Sequence, residues 1–257
     1  MIFALIKIRL LQTFAFRAEF LLWLLTLTLP LIMLFFWQAV AQGGTFHGYT
    51  REDFNLYYLA VLVTTILTSC NSVWEMNENI RLGDLSFWLM RPVHPFINYG
   101  AITLAELGLS LIVALPLLVL AFTLPTTRNP FSWQQSLMLL CAFTGGLLLN
   151  QAIHLLIGCL TFWMERSLVV HKVYAAASSV LSGFMFPLTF LPDWAGRVAR
   201  WLPFRFVISL PVEIFTGKHS PLAAAFWLTV QAIMVAALYI AAMGVWRLGI
   251  RRYTAFG

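Results

Sequence analysis

The chain has 257 residues, of which 61% are hydrophobic and only 10% are charged. A soluble domain averages about 45–50% apolar and about 25% charged residues, so this chain has too few polar side chains for a water-facing surface. The composition excludes a soluble or disordered protein and indicates a polytopic membrane protein, whose net charge of +6 favours anionic lipids over nucleic acid as partners. Cys70, Cys141 and Cys159 lie in apolar runs, which predicts packing rather than disulfides.

Six segments are apolar enough to cross a membrane, which takes about 20 residues of helix. In chain order they cover residues 20–40, 54–74, 96–124, 133–164, 173–191 and 222–246. No long polar insertion separates them, so we predict an all-α polytopic membrane protein that forms one transmembrane domain over residues 1–257.

The Lys and Arg residues between the spans predict the orientation. Six spans place both termini on one side, and that side carries ten Lys or Arg residues. The opposite side carries six, four of which lie in the single segment 186–218. Because Lys and Arg accumulate in cytoplasmic loops, we predict a multi-pass protein of the cell membrane with both termini in the cytoplasm.

Residues 1–19 combine apolar side chains with polar ones at helical spacing. Arg9, Gln12, Thr13 and Arg17 fall on one arc of a helix, although Phe16 interrupts that arc. This pattern favours an interfacial helix along the cytoplasmic membrane surface, and the alternative is an extension of the first span.

The most polar part of the chain is the predicted cytoplasmic loop 75–95. Its apolar stripe, flanking charges and closing prolines are typical of a short amphipathic helix that docks into a groove on a soluble partner. The alternative is an ordinary surface loop with a helix that lies on the membrane, and Gly83 would permit a close backbone approach or a local turn. The candidate contact residues are Arg81, Gly83, Asp84, Leu85, Arg91 and Pro92.

The segment 186–218 is apolar but interrupted by four prolines and several charges, so no single helix can cross the membrane there. It predicts short interfacial or re-entrant helices on the external face, which would act either as a gate or as a rigid cap. The candidate gate residues are Pro187, Pro192, Trp194 and Pro203.

Polar residues inside the predicted spans are the remaining candidates. Glu106 lies about ten residues into the third span, where a charge is costly and usually has a function. Asn150 and His154 belong to a stripe of small and polar residues in the fourth span, and Ser179 and Gly183 to one in the fifth. These residues either line a translocation path or pack helices closely. We predict no metal site, because His154 has no second ligand nearby in the sequence.

Together these features resemble ATP-binding-cassette (ABC) transporter permeases of the type-2 exporter class, which have the six-span type V exporter fold. The stretch IRLGDLSFWLMRPVHP (residues 80–95) is similar to the coupling loop of that family. The stretch FPLTFLPDWAGRVARWLPFRFVISLPVEIFTGK (residues 186–218) is similar to its external segment, in the Pro-x-x-x-x-Pro-x-Trp run and the following Leu-Pro-Phe.

The resemblance implies that two permeases form a dimer, with a heterodimer favoured, and that each docks on a separate ATPase subunit that binds ATP and Mg²⁺. This sequence has no phosphate-binding loop of its own, because its Gly217–Lys218 pair is followed by His219 and lacks the upstream glycine. The chain is therefore expected to be no enzyme by itself and to bind no cofactor. The alternatives are an integral-membrane lipid-modifying enzyme and a non-transporting scaffold.

The charge asymmetry gives a first testable prediction. Thiol-labelling reporters should be reached from outside at residues 41–53 and 190–218, and only from the cytoplasm at residues 75–95. Labelling of a cysteine at Asp193 or Arg197 from the cytoplasm would contradict the six-span topology.

Overall fold

The computed structural model describes residues 28–123, 132–164 and 166–253, and this part of the chain is built from helices, without a β-strand. The predicted interfacial helix at residues 1–19 lies outside the described residues. The helices are, in order, α1 (Thr28–Val40), α2 (Arg51–Leu67), α3 (Ser72–Arg81), α4 (Leu85–Leu89), α5 (Pro95–Thr123), α6 (Trp133–Cys159), α7 (Ser167–Leu181), α8 (Asp193–Ala199), α9 (Pro203–Val207), α10 (Ser209–Phe215) and α11 (Pro221–Gly249).

Four of the helical stretches are long and apolar enough to cross a membrane. They are Arg51–Arg81, Pro95–Val119, Trp133–Phe162 and Pro221–Gly249. The described part of α1 and the helix α7 are apolar but shorter. The prediction of an all-helical membrane protein is confirmed, whereas the count of six spans stays a prediction.

The second predicted span contains a break and extends further than the sequence indicated. Helix α2 ends at Leu67, and α3 then continues to Arg81, so the first residues of the predicted loop 75–95 are helical. Before the break, Thr65 Oγ1 donates to the Val61 carbonyl at 2.8 Å and Thr68 Oγ1 to the Thr64 carbonyl at 2.8 Å. Such bonds to the preceding turn compete with the helical ladder and bend helices.

The fifth predicted span, residues 173–191, begins earlier and is shorter. Helix α7 starts at Ser167 and ends at Leu181, and Gly183 then adopts a φ of +86°, a conformation that favours glycine. The Tyr57 hydroxyl donates to the Gly183 carbonyl at 2.5 Å, and the Tyr58 hydroxyl to the Met185 carbonyl at 2.6 Å. These bonds fix the chain where it leaves the helix.

The centre of the fold is the packing of α6 against α11, with α9 inserted beside them. Gln231 of α11 is fully buried, and its side-chain N–H groups donate to the carbonyls of Ala142 (3.1 Å) and Phe206 (2.8 Å). A β carbon at Gly146 would lie 3.1 Å from the Val207 carbonyl oxygen. Helix α9 therefore contacts the middle of α6, at a position where any side chain would require the neighbouring groups to shift.

A second core lies at the end of the bundle that holds residues 82–94. It joins α3, α4, α5, α6 and α11 through a set of buried apolar side chains. Its members include Met76, Leu85, Tyr99, Leu155 and Trp246. The connection between α3 and α5 is thus packed against the ends of two long helices.

The contact at Gly146 gives a prediction about stability. Replacing Gly146 with Leu should lower the free energy of unfolding by about 1–3 kcal/mol, because the side chain would push α9 away from α6. Gly244→Leu is the matched control, since Gly244 is exposed on α11 and a β carbon there would have nothing within 4 Å. Chemical unfolding in detergent micelles measures both variants. Equal stability of the two would show that α9 does not require the close approach.

Candidate functional site

Residues 82–94, which we call the connecting segment, join α3 to α5 by a turn and the short helix α4. Gly83 has a φ of +81°, and its carbonyl oxygen accepts from the backbone N–H of Ser86 (3.1 Å) and from Ser86 Oγ (2.7 Å). A side chain at Gly83 would strain this turn. Of the two roles that the sequence allowed for Gly83, the structure shows the local turn.

One face of the connecting segment is packed into the protein. Leu85 is fully buried in the second core, and the Trp88 ring stacks on Tyr99 with 5.4 Å between ring centroids. The guanidinium carbon of Arg91 lies 5.8 Å from the centroid of the Trp88 ring. Leu85 therefore holds the segment in place and is not available at the surface for a partner.

The opposite face of the connecting segment combines exposed apolar and charged side chains. Phe87 is 60% and Met90 74% exposed, and Leu82 and Leu89 are also exposed. An apolar patch of this kind beside charges is typical of an interaction site. The charged and closing residues predicted here, Arg81, Asp84, Arg91 and Pro92, are all exposed as well.

Glu106 lies beside the break between α2 and α3. The half-buried carboxylate accepts a hydrogen bond from the Asn71 side chain at 3.4 Å. Asn71 directly precedes the first residue of α3, so the carboxyl group lies close to a helix N-terminus, where a negative charge is favourable.

Other polar groups from three helices meet at the same break. The Asn150 side chain of α6 donates to the Thr68 carbonyl at 2.8 Å, and it accepts from the Tyr174 hydroxyl of α7 at 2.9 Å. Ser72 Oγ lies 3.1 Å from Thr103 Oγ1 of α5. The structure thus places Asn150 and Glu106 at one irregular region of backbone, on different sides of it.

His154 belongs to a different cluster. Its buried ring lies 4.9 Å from that of His171 on α7, and His171 in turn packs against Trp74 at 5.7 Å. Glu106 and His154, which an enzymatic function would need together, therefore have separate surroundings. Among the residues that the structure describes, no three His, Cys, Asp or Glu side chains are placed to hold a metal ion.

Ser179 and Gly183 do not share a helix face, although their spacing predicted one. Ser179 Oγ donates to the Ala176 carbonyl of its own helix at 2.7 Å, whereas Gly183 lies beyond the end of α7. Gly183 is closely packed, since a β carbon there would be 2.9 Å from the Tyr57 hydroxyl oxygen.

Three of the four prolines of the segment 186–218 stand where short helices begin. Pro187 precedes the 3-10 turn Leu188–Phe190, Pro192 precedes α8, and Pro203 is the first residue of α9. A proline costs little there, because the first N–H groups of a helix have no partner within it. Trp194, the fourth predicted gate residue, is 69% exposed on α8.

A buried ion cluster within this segment was missed by the sequence analysis. Arg205, which is 4% exposed, donates to Glu213 Oε2 at 2.7 Å, and Ser209 Oγ donates to Glu213 Oε1 at 2.7 Å. His219 Nε2 lies 2.7 Å from Glu213 Oε2. The Arg205 guanidinium also covers the Trp227 ring at 4.2 Å from its centroid. An Arg and a Glu in an otherwise apolar stretch were the signal, because buried charges require partners.

These contacts decide the charge of Glu213. Burial raises its pKa, but the hydrogen bond with His219, the positive charge of Arg205 and the bonds from Arg205 and Ser209 outweigh it and lower the pKa to about 2. The carboxylate is therefore ionised at neutral pH. It joins α9, α10 and the turn before α11.

A cluster of aromatic rings at the same end of the bundle was also missed. Trp37 of α1 stacks on Phe54 of α2 at 5.8 Å, and the Phe190 ring meets the edges of Trp37 (5.2 Å) and Phe46 (5.4 Å). Lys218 contacts Tyr49 of the same group. The rings fix the segment 186–218 to α1 and α2, and their scatter along the sequence gave no periodic signal.

One family model, described as "ABC-2 family transporter protein", matches residues 22–257. No curated protein and no solved structure matches the chain significantly. The match covers nearly all of the sequence, including the connecting segment and the segment 186–218.

The ion cluster predicts that the stability of the protein depends on the charge of Glu213. Glu213→Gln should lower the free energy of unfolding by about 3–5 kcal/mol, because it leaves the buried Arg205 without its counter-charge. Glu52→Gln, at an exposed position of α2, is the control and should change little. Chemical unfolding at neutral pH measures both.

The pH dependence of stability separates the contribution of the Glu213 charge from that of packing. Because the folded pKa of Glu213 is about 2 against an ordinary value of 4.5, its stabilisation is complete above pH 4.5 and is lost as the pH falls towards 2. This loss should be present in the wild type and reduced in Glu213→Gln. Identical pH profiles of the two proteins would contradict the assignment.

Proposed function

The chain belongs to the ABC-2 transporter family, and on this premise we propose that it is the permease subunit of an ATP-driven exporter. As a family member it is a membrane component of a transporter. The proposal adds that a separate subunit binds ATP and Mg²⁺ and hydrolyses ATP, and that this chain supplies the path across the membrane.

The connecting segment is the observation that carries the proposal. One of its faces is held by the second core through Leu85 and Trp88, and the other exposes Phe87 and Met90 beside Arg91. An apolar face with flanking charges fits a groove on a soluble subunit, and the charges would set register and specificity. A segment that is exposed on one side and packed against transmembrane helices on the other can transmit a movement of that subunit.

The proposed orientation places the connecting segment and both termini in the cytoplasm. The Lys and Arg distribution supports it, and the segment 186–218 then lies at the external end. We propose that α9 is re-entrant, since it contacts α6 at Gly146, well inside that helix. Protein covers this irregular backbone on several sides. Irregular backbone is tolerated at membrane depth only when it is shielded from lipid in this way. With hinges at Pro187, Pro192 and Pro203 and an exposed Trp194, the segment would form the external gate.

The break between α2 and α3 is the best candidate for the translocation path. Discontinuous helices place polar groups inside transporters, and here Glu106 and Asn150 both lie at the break. His154 and Ser179 would extend the polar lining, and Gly183 would allow the turn towards the gate. We propose that a second permease, favoured to be a different chain, completes this path within the surrounding lipid.

Two variants of the connecting segment test the proposal. Arg91→Glu reverses an exposed charge, and Gly83→Val strains the turn that presents it. Each should weaken binding of the ATPase subunit about tenfold, as loss of one important interface contact does. Co-purification of the ATPase subunit with the tagged permease, expressed together in membranes, measures the effect. Arg51→Glu, an equally exposed charge reversal at the other end of the bundle, is the matched control.

A further inference from the structure

The end of the last helix contacts the connecting segment at its beginning. After α11 ends at Gly249, the chain turns back, and the Tyr253 hydroxyl donates to the Gly83 carbonyl at 3.0 Å. This carbonyl is the same one that accepts both bonds from Ser86. The last helix therefore holds the connecting segment at its one turn with positive φ.

The same helix also contacts the connecting segment where it ends. The Trp246 ring lies 5.5 Å from His94 and 5.1 Å from Phe96, measured between ring centroids. Tyr253 and Trp246 thus contact the beginning and the end of the segment, and both belong to α11 or to the turn directly after it.

These contacts belong to one packed unit. The Phe162 ring, in the 3-10 turn directly after α6, lies 5.4 Å from Trp246 and 6.1 Å from Tyr253, and a β carbon at Gly249 would overlap it. A displacement of the connecting segment would therefore press directly on the end of α11.

We propose that Tyr253 is a positioning residue that couples the connecting segment to α11, so that a movement imposed on the segment is passed to the last span. The inference rests on the proposed function, because the ATPase subunit supplies the movement. It goes beyond that function by naming the helix that receives the movement and the hydroxyl group that transfers it.

The experiment compares the wild type with Tyr253→Phe in the complex with the ATPase subunit, which is trapped with ATP and vanadate or left without nucleotide. Amide hydrogen exchange is measured in residues 82–94 and 244–253. The substitution removes one hydroxyl and keeps the ring beside Phe162. Tyr58→Phe is the matched control, because it removes another hydroxyl that donates to a backbone carbonyl, far from the connecting segment.

In the wild type and in Tyr58→Phe, trapping should change exchange in both segments. In Tyr253→Phe, the ATPase subunit should remain bound and the change in residues 82–94 should persist, while the change in residues 244–253 is reduced, because only the Trp246 contacts then join the segment to α11. A change of undiminished size in both segments of Tyr253→Phe overturns the inference. Loss of both changes overturns it too, because Tyr253 would then only maintain the fold of the segment.

The outcome for the wild type separates this inference from the proposed function. If the wild type retains its ATPase subunit but residues 244–253 do not respond to trapping, the inference fails and the proposed function stands. If no ATPase subunit remains with the wild-type permease, the proposed function fails and the inference fails with it.

Discussion

The close approach of helix backbones at Gly146 is the contact on which the rest of the fold depends. Because Gly146 has no side chain, the Val207 carbonyl oxygen and the Thr68 methyl group both lie within about 3 Å of the position that a β carbon would take. Helices α2, α6 and α9 meet there, and α11 joins through the bonds of Gln231 to both neighbours. One turn further along α6, Asn150 binds the Thr68 carbonyl where α2 breaks off. The break in the second span and the insertion of α9 are therefore parts of one junction.

Aromatic packing stabilises both ends of the bundle, and the end that holds the segment 186–218 adds a buried ion cluster. Around the connecting segment the contacts are apolar and aromatic, as in the stacking of Trp88 on Tyr99, which favours a rigid unit. Around the segment 186–218, the ionised Glu213 joins Arg205, Ser209 and His219. Removing one member of such a cluster is costly, but the cluster as a whole need not stabilise more than apolar packing would. It fixes a specific arrangement of short helices.

Amino-acid composition and the pattern of apolar residues were sufficient to predict the class of fold and most of the long helices, because the membrane requires long apolar stretches. They missed the break after Leu67, since Thr65 and Thr68 disturb the helix only through side-chain bonds to its own carbonyls. The spacing of Ser179 and Gly183 indicated a common face, but the positive φ of Gly183 ends that face. The exposed charges of the connecting segment were identified from charge and proline pattern, but Leu85, also named as a contact residue, is buried, and the exposed Phe87 and Met90 were not among the candidates. The partners of Arg205 were not identified from the sequence, because only the tertiary fold brings Trp227 over the guanidinium group.

Helix α11 connects the two ends. Its 29 residues extend roughly 43 Å at 1.5 Å per residue, enough to reach from one side of a membrane to the other. At one end Trp246 packs against His94 and Phe96, and further along Gln231 binds the Phe206 carbonyl of α9. A shift of α11 along or about its axis must therefore alter the bonds of Gln231, because a buried amide cannot leave its partners without a cost of about 1–3 kcal/mol for each lost bond. Helix α9 is joined to Glu213 by Arg205, so the same shift reaches the segment 186–218. Helix α11 thus contacts both irregular regions, and buried polar groups join it to the segment 186–218.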